Sequence, residues 1–218
     1  MSHIEIRLAL VLSLLLPGIT PAKAEAVESG LSVIQAQVTK GRAPKTGYTR
    51  AQFGPEWADV DRNKCDTRND ILKRDLINLV FKEKTNGCTV LSGTLVDPFS
   101  GETINFVQGA KTSSDVQIDH SVALSNAWQT GAFKLTPDQR KAFANDPLNL
   151  LAVKGKLNSQ KGDGDAATWL PPLKSYRCDY VARQIAVKIK YKLWFTAPEK
   201  EAMIRILKTC PEKVLPTS

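Results

Sequence analysis

Four cysteines, Cys65, Cys88, Cys178 and Cys210, constrain this 218-residue chain more tightly than any other residues do. They form no C-x-x-C pair and lack the close knuckle spacing of structural zinc sites, so disulfides are favoured over zinc. Four cysteines allow three pairings. The local one, Cys65–Cys88 with Cys178–Cys210, is favoured because each pair flanks one unit of the chain. Each bridge then closes a loop of roughly 25–35 residues, worth about 3–4 kcal/mol in the chain-entropy picture. Disulfides in turn imply an oxidising compartment.

The N-terminus points the same way. Arg7 sits in a short polar start, residues 8–16 (LALVLSLLL) are apolar, Pro17-Gly18 interrupts them, and Ala22-Lys23-Ala24 has the A-x-A cleavage pattern. The apolar run is shorter than the roughly 20 residues that cross a bilayer. Residues 1–24 therefore read as a signal peptide, and the mature chain as a secreted, extracellular monomer with no membrane attachment. Cleavage removes two positive residues and one negative, Arg7, Lys23 and Glu5, taking the formal charge from +8 to +7. A basic chain suits a polyanionic partner. Its 42% apolar and 24% charged residues exclude a disordered tail.

Residues 25–64 read as an N-terminal arm. An apolar patch at 31–38 is compatible with a short helix, and Tyr48, Phe53 and Trp57 need cover from the domain. The cations Lys40, Arg42, Lys45 and Arg50 either touch phosphates or are simply solvated. From 65 to 218 the chain reads as one α+β domain. Residues 65–76 start a helix, with Asp66 or Thr67 as its cap. Residues 77–83, 88–97 and 102–107 are β-branched and aromatic segments separated by turn signals, which predicts an antiparallel meander. A short strand over 116–119 is followed by helices over 121–132 and 136–146, a strand over 148–153 and a short helix or turn over 155–163. The stripe Tyr180, Val181, Ile185, Ile189 and Leu193 predicts a helix between 176 and 194, leaving Lys188, Lys190 and Lys192 on its other faces. The capping box of Thr196 and Glu199 starts a second helix, completing a C-terminal helical hairpin stapled by Cys178–Cys210.

Chemistry concentrates in residues 115–172. His120 follows Asp119 at the end of an apolar run and is the only histidine outside the leader. Phosphodiester hydrolysis needs a base for water, a cation for the developing charge, and basic groups for the backbone. His120 can be the base, being substantially neutral at pH 7. Asp119 and the Asn158 carbonyl are oxygen donors that suit a hard divalent cation, Mg2+ first, with Mn2+ or Ca2+ as alternatives. Lys154, Lys156 and Lys161 surround Asn158 in sequence and are candidate phosphate contacts, while Arg68, held rigid by a bridge and a helix start, either joins them or forms a surface salt bridge with Asp66. Asp163 and Asp165 are read either as orienting Lys161 or as turn formers.

IDH (118–120), FANDPLNLLAV (143–153) and NSQKGDGD (158–165), with CDTRND (65–70) and WLPP (169–172), together resemble the HNH, or ββα-metal, nuclease signature. The likeness is to the branch with D-H and a final Asn, which includes the C-terminal domain of GmrSD-type restriction enzymes and small secreted proteins carrying it. The resemblance covers roughly Cys65 to Cys210. It implies a ββα-metal core, metal binding by Asp119 and Asn158, and His120 as general base. Asn149, grouped with His120 in the catalytic signature, would hold the base loop to the helix by hydrogen bonds. The interval between His120 and Asn149 is longer than in the shortest HNH sites, so its helices have to fold aside.

The reading is a secreted, metal-dependent endonuclease acting on DNA, or also on RNA, with little sequence preference. The alternative is an exported basic DNA-binding protein that keeps the fold without turnover. Salt-sensitive binding without cleavage would mark it.

Overall fold

The computed structural model describes residues 28–217, so the leader expected over 1–24 lies outside them. Along the arm, α1 (Gly30–Ala36) is capped by the Ser29 side chain, and a 3-10 turn at Arg50–Phe53 drives Phe53 into the interior. In the next helix, α2 (Thr67–Asp75), the Asp66 carboxylate caps by accepting from Asn69 N, while Lys73 and Arg74 sit at the negative end of the dipole.

The predicted meander forms as β1 (Leu76–Phe81), β2 (Val90–Val96) and β3 (Thr103–Val107), antiparallel in that order. The disulfide Cys65–Cys88 ties the start of α2 to the turn before β2, and Asn69 Oδ1 accepts from Val90 N beside it.

A second antiparallel pair joins β4 (Val116–His120) to β5 (Leu150–Lys154), with His120 opposite Leu150 and Val116 opposite Lys154. The long interval between these strands does fold aside. It carries α3 (Leu124–Gln129) and α4 (Pro137–Ala144), which pack with Phe53 into an apolar cluster of their own around Trp128 and Phe143. The α3 helix is shorter than the 121–132 expected. Ser121 N and Val122 N are both bonded to Asn149, and Gly131, at φ 128°, ends the run after Thr130. Thr136 and Gln139 form a capping box at the start of α4.

The helix α5 (Gly155–Lys161) follows β5 without a break. Gly155 is required there, because a Cβ would lie 1.9 Å from Ser114 O. Both faces of β5 are covered. Leu151 and Val153 join the cluster under the C-terminal helices, while Leu150 and Ala152 join the one under α2 and the meander. This two-sided burial explains why the strand reads as a continuous apolar run rather than an alternating one. Arg74, donating to Pro147 O and Leu150 O, and Asp75, accepting from Ala152 N, stitch α2 to β5.

The C-terminal hairpin pairs α6 (Arg177–Lys190) with α7 (Ala197–Leu207), and Cys178–Cys210 joins its far ends. One expectation fails here. Lys188 is not on a solvated face: it is fully buried, with Nζ 2.6 Å from Glu199 Oε1, while Ile189 is 39% exposed. The start of α7 covers α6 on a second side, and a cation there is tolerated only with an anion beside it. No helix of the described residues is long and apolar enough to cross a membrane.

Candidate active site

Side chains alternate along β4, so Gln117 and Asp119 share one face while His120 turns to the other. The α5 helix lies on the first face. Asn158 Nδ2 donates to Gln117 Oε1 at 2.9 Å, and one turn later Lys161 Nζ donates to Asp119 Oδ1 at 2.8 Å. Lys161 also donates to His120 O at 2.7 Å. The second Asp119 oxygen, Oδ2, is buried with no partner. Asp119, His120, Asn158 and Asp163 line one cleft of about 250 Å³, together with Tyr48 and Arg50 from the arm.

His120 has one ring nitrogen committed and the other free. Its Nε2 lies 2.9 Å from Ala144 O, an acceptor, so Nε2 carries the hydrogen and Nδ1 keeps its lone pair. Burial lowers the imidazole pKa from 6.5 to about 4, the Ala144 carbonyl opposing and the Arg50 and Lys161 charges assisting. The ring is therefore neutral at pH 7. Trp57 lies nearly parallel to it, with centroids 6.3 Å apart and 17° between planes.

Asn149 is fully buried and does not reach the cleft. Its Oδ1 accepts from Val122 N at 2.9 Å and its backbone oxygen from Ser121 N at 2.7 Å. The residue thus clamps the chain just after His120 against β5. Its place in the signature is therefore a positioning one, made through hydrogen bonds.

The expected phosphate contacts divide. Lys161 is withdrawn from that list, since its side chain is 0% exposed and spent on Asp119 and His120. Lys154 stands opposite Val116, four ladder positions from His120 or about 13 Å at strand rise, and pairs with Glu102. Lys156 is exposed, but two helix positions from Asn158 place it on a different side of α5. Arg68 donates to Val116 O and Ser113 O and lines a separate cavity of about 350 Å³. Asp163 and Asp165 do not orient Lys161: they receive Lys45 and Arg42 and so fasten the arm. Lys40 lies over the Trp194 ring. The cation that does line the cleft is Arg50, with a side chain 61% exposed and, among the described residues, ion-paired only with Glu56, at 3.7 Å. Local sequence does not distinguish it from the other arm cations, because its place depends on where Phe53 is buried.

The donor set is compatible with a hard divalent cation. Asp119, with an unpartnered carboxylate oxygen, and Asn158, whose Nδ2 is taken by Gln117, line one cleft. Among the described residues no group of three His, Cys, Asp or Glu side chains is placed to hold a metal. Mg2+ needs no such cage, being commonly bound by one or two carboxylates with waters and substrate phosphates.

Residues 66–206 match the family described as GmrSD restriction endonucleases, C-terminal domain. The chain belongs to this family. As a GmrSD C-terminal-type domain it is of nuclease kind, and nucleic acid is the substrate such a domain implies. The matched part runs from the cap of α2 into α7 and contains Asp119, His120, Asn149 and Asn158, while Arg50 and Trp57 precede it. A protein of Arthroderma benhamiae (strain ATCC MYA-4681 / CBS 112371), described as an uncharacterized secreted protein, is 37% identical over 193 residues, covering 88% of this chain and 89% of its own. No solved structure matches.

Proposed function

We propose that this GmrSD C-terminal-type domain is a secreted endonuclease of the HNH kind that hydrolyses phosphodiester bonds of DNA, or also of RNA, with a divalent metal, Mg2+ first. The observation that carries the reading is His120. It is neutral, its Nε2 is committed to Ala144 O, and Nδ1 is left to take a proton on a residue that lines the same cleft as Asp119 and Asn158.

In this reading His120 removes the proton from the attacking water. Asp119 and Asn158 hold the metal, which supplies charge stabilisation for the phosphate and the leaving oxygen. The antiparallel β4–β5 pair followed directly by α5 supports a ββα-metal arrangement, because it puts the carboxylate and the amide on facing elements. Arg50 is assigned the phosphate contact, with Lys156 a distant second. Contacts of that kind carry no base information, which agrees with low sequence preference. The domain is assigned to residues 65–218, with 25–64 as its arm and 1–24 as a removed leader. Secretion rests on that leader, on two disulfides and on the description of the Arthroderma relative.

The test is digestion of plasmid, single-stranded DNA and RNA by the mature protein with Mg2+, Mn2+ or Ca2+, with EDTA, and by His120→Ala. Cleavage that needs the metal and falls by about 10²–10⁴ in the variant is expected for loss of a general base. Undiminished cleavage by the variant removes His120 from the reaction. Salt-sensitive binding without turnover in every metal would favour the DNA-binding alternative.

A further inference from the structure

Beside the metal cleft lies a second cavity, of about 250 Å³, whose walls are mostly apolar: Phe53, Pro55, Trp57, Leu124 and Ala144. It shares Arg50, His120 and Leu124 with the cleft, so the two adjoin at the imidazole. We propose that this cavity binds one unpaired nucleobase next to the scissile phosphate, stacked on Trp57; this rests on the nuclease reading above.

Three observations converge on it. The first is the Trp57 backbone, at φ 55°, a left-handed conformation that is a genuine outlier for a bulky residue. Such strain gathers where surrounding structure holds a side chain for a task. Trp57 O accepting from Thr67 N secures it at the start of α2. The second is the ring's position, half-buried and nearly parallel to the imidazole at 6.3 Å. A base stacked there lies within one nucleotide of the phosphate that His120 serves. The third is Asn145, 1% exposed on the cavity wall, whose Nδ2 is used on Lys141 O while Oδ1 is buried with no donor. A small rotation of that amide offers the acceptor to an N–H on a base edge.

Size and charge narrow the occupant. The cavity falls just under the roughly 300–1,000 Å³ of pockets for drug-sized ligands, which suits one flat heterocycle. Its apolar walls reject a phosphate, while Arg50 at the junction of cavity and cleft attracts one. An apolar slot followed by a cation is the pattern of single-strand binding, in which bases stack on aromatic rings and the backbone follows positive charge. A duplex offers no free base face, so entry requires a single strand or an extruded base. Beyond Trp57 and Glu56 the cavity that Arg68 lines continues the path.

The experiment uses the mature full chain in EDTA, where turnover is absent, and measures anisotropy of a short labelled single-stranded oligonucleotide. An abasic strand of equal length, Trp57→Ala and Trp57→Phe are compared, with thermal melting of each protein. Binding at least about tenfold weaker for the abasic strand and for Trp57→Ala is expected, with Trp57→Phe within about threefold of the parent. The two losses should not add. Equal binding of normal and abasic strands by the parent overturns the proposal, as does full affinity in a normally melting Trp57→Ala. If Trp57→Ala does not fold, the abasic comparison on the parent decides alone. Base-dependent binding without cleavage in any metal keeps the cavity and removes the nuclease reading. Metal-dependent cleavage with base-independent binding does the reverse.

Discussion

Lys161 Nζ stands 2.8 Å from Asp119 Oδ1 with the two side chains 0% and 3% exposed. The same ammonium bonds His120 O, so one cation neutralises the carboxylate and fixes the strand end that carries the histidine. The other Asp119 oxygen is left unspent. A lysine in the middle of a proposed metal site is thus part of the scaffold rather than a rival for substrate.

Lys161→Met is expected to cost about 3–5 kcal/mol, because it strands a buried carboxylate without its partner. For a chain of this size that lowers Tm by roughly 6–20 °C. Added Mg2+ should raise the Tm of the variant more than that of the parent, since the metal is then the only counter-charge for Asp119. Scanning fluorimetry with and without Mg2+ measures both, and an unchanged Tm would show the pair to be dispensable.

Asn149→Ala removes the acceptor for Val122 N and leaves a buried donor unpaired, at about 1–3 kcal/mol. Because the clamp acts on the residues just after His120, cleavage should fall mainly in kcat, with KM little changed. Asn149→Asp keeps the acceptor and should restore part of kcat. Steady-state kinetics beside urea melts separate this from simple loss of stability.

All four tyrosines, Tyr48, Tyr176, Tyr180 and Tyr191, have pKa values raised above 10, chiefly by burial, and Tyr176 reaches about 12. The unfolded chain releases these protons near pH 10 while the folded chain keeps them. Their contribution to stability is therefore complete below pH 10 and lost as pH rises through 10 to 12 and beyond. Absorbance at the phenolate band should show little ionisation in the native protein at pH 10. About half of the phenols should be ionised in denaturant at that pH. Substantial phenolate in the native protein would contradict the burial.

Removing Cys178–Cys210 by a double serine substitution should cost about 2–5 kcal/mol. The loss should appear first at α6 and α7, whose far ends the bridge joins. Hydrogen exchange would locate it there, and uniform loss of protection would show instead that the hairpin has no separate unfolding step.

Much of the scaffold was legible in the sequence because its causes are local. The turn residues and β-branched runs of the meander, the capping box at Thr196 and the paired cysteines all act over a few residues or flank one unit. Asp119 and His120 end β4, Asn149 directly precedes β5, and Asn158 lies on the helix that follows, so the D-H and Asn pattern is brought into one region by adjacent elements.

The allocation of charge was decided only in three dimensions. Nearness in sequence suggested Lys154, Lys156 and Lys161 around Asn158, yet helix periodicity turns Lys156 away, the ladder carries Lys154 to the far end, and Lys161 goes inside. Arg50 reaches the cleft across more than 60 positions because Phe53 must be buried, and Lys188 is buried because α7 closes over it. Periodicity and caps are properties of a segment. Whether a cation is solvated, paired or left facing a cleft depends on which distant surface covers it, and that is settled by packing.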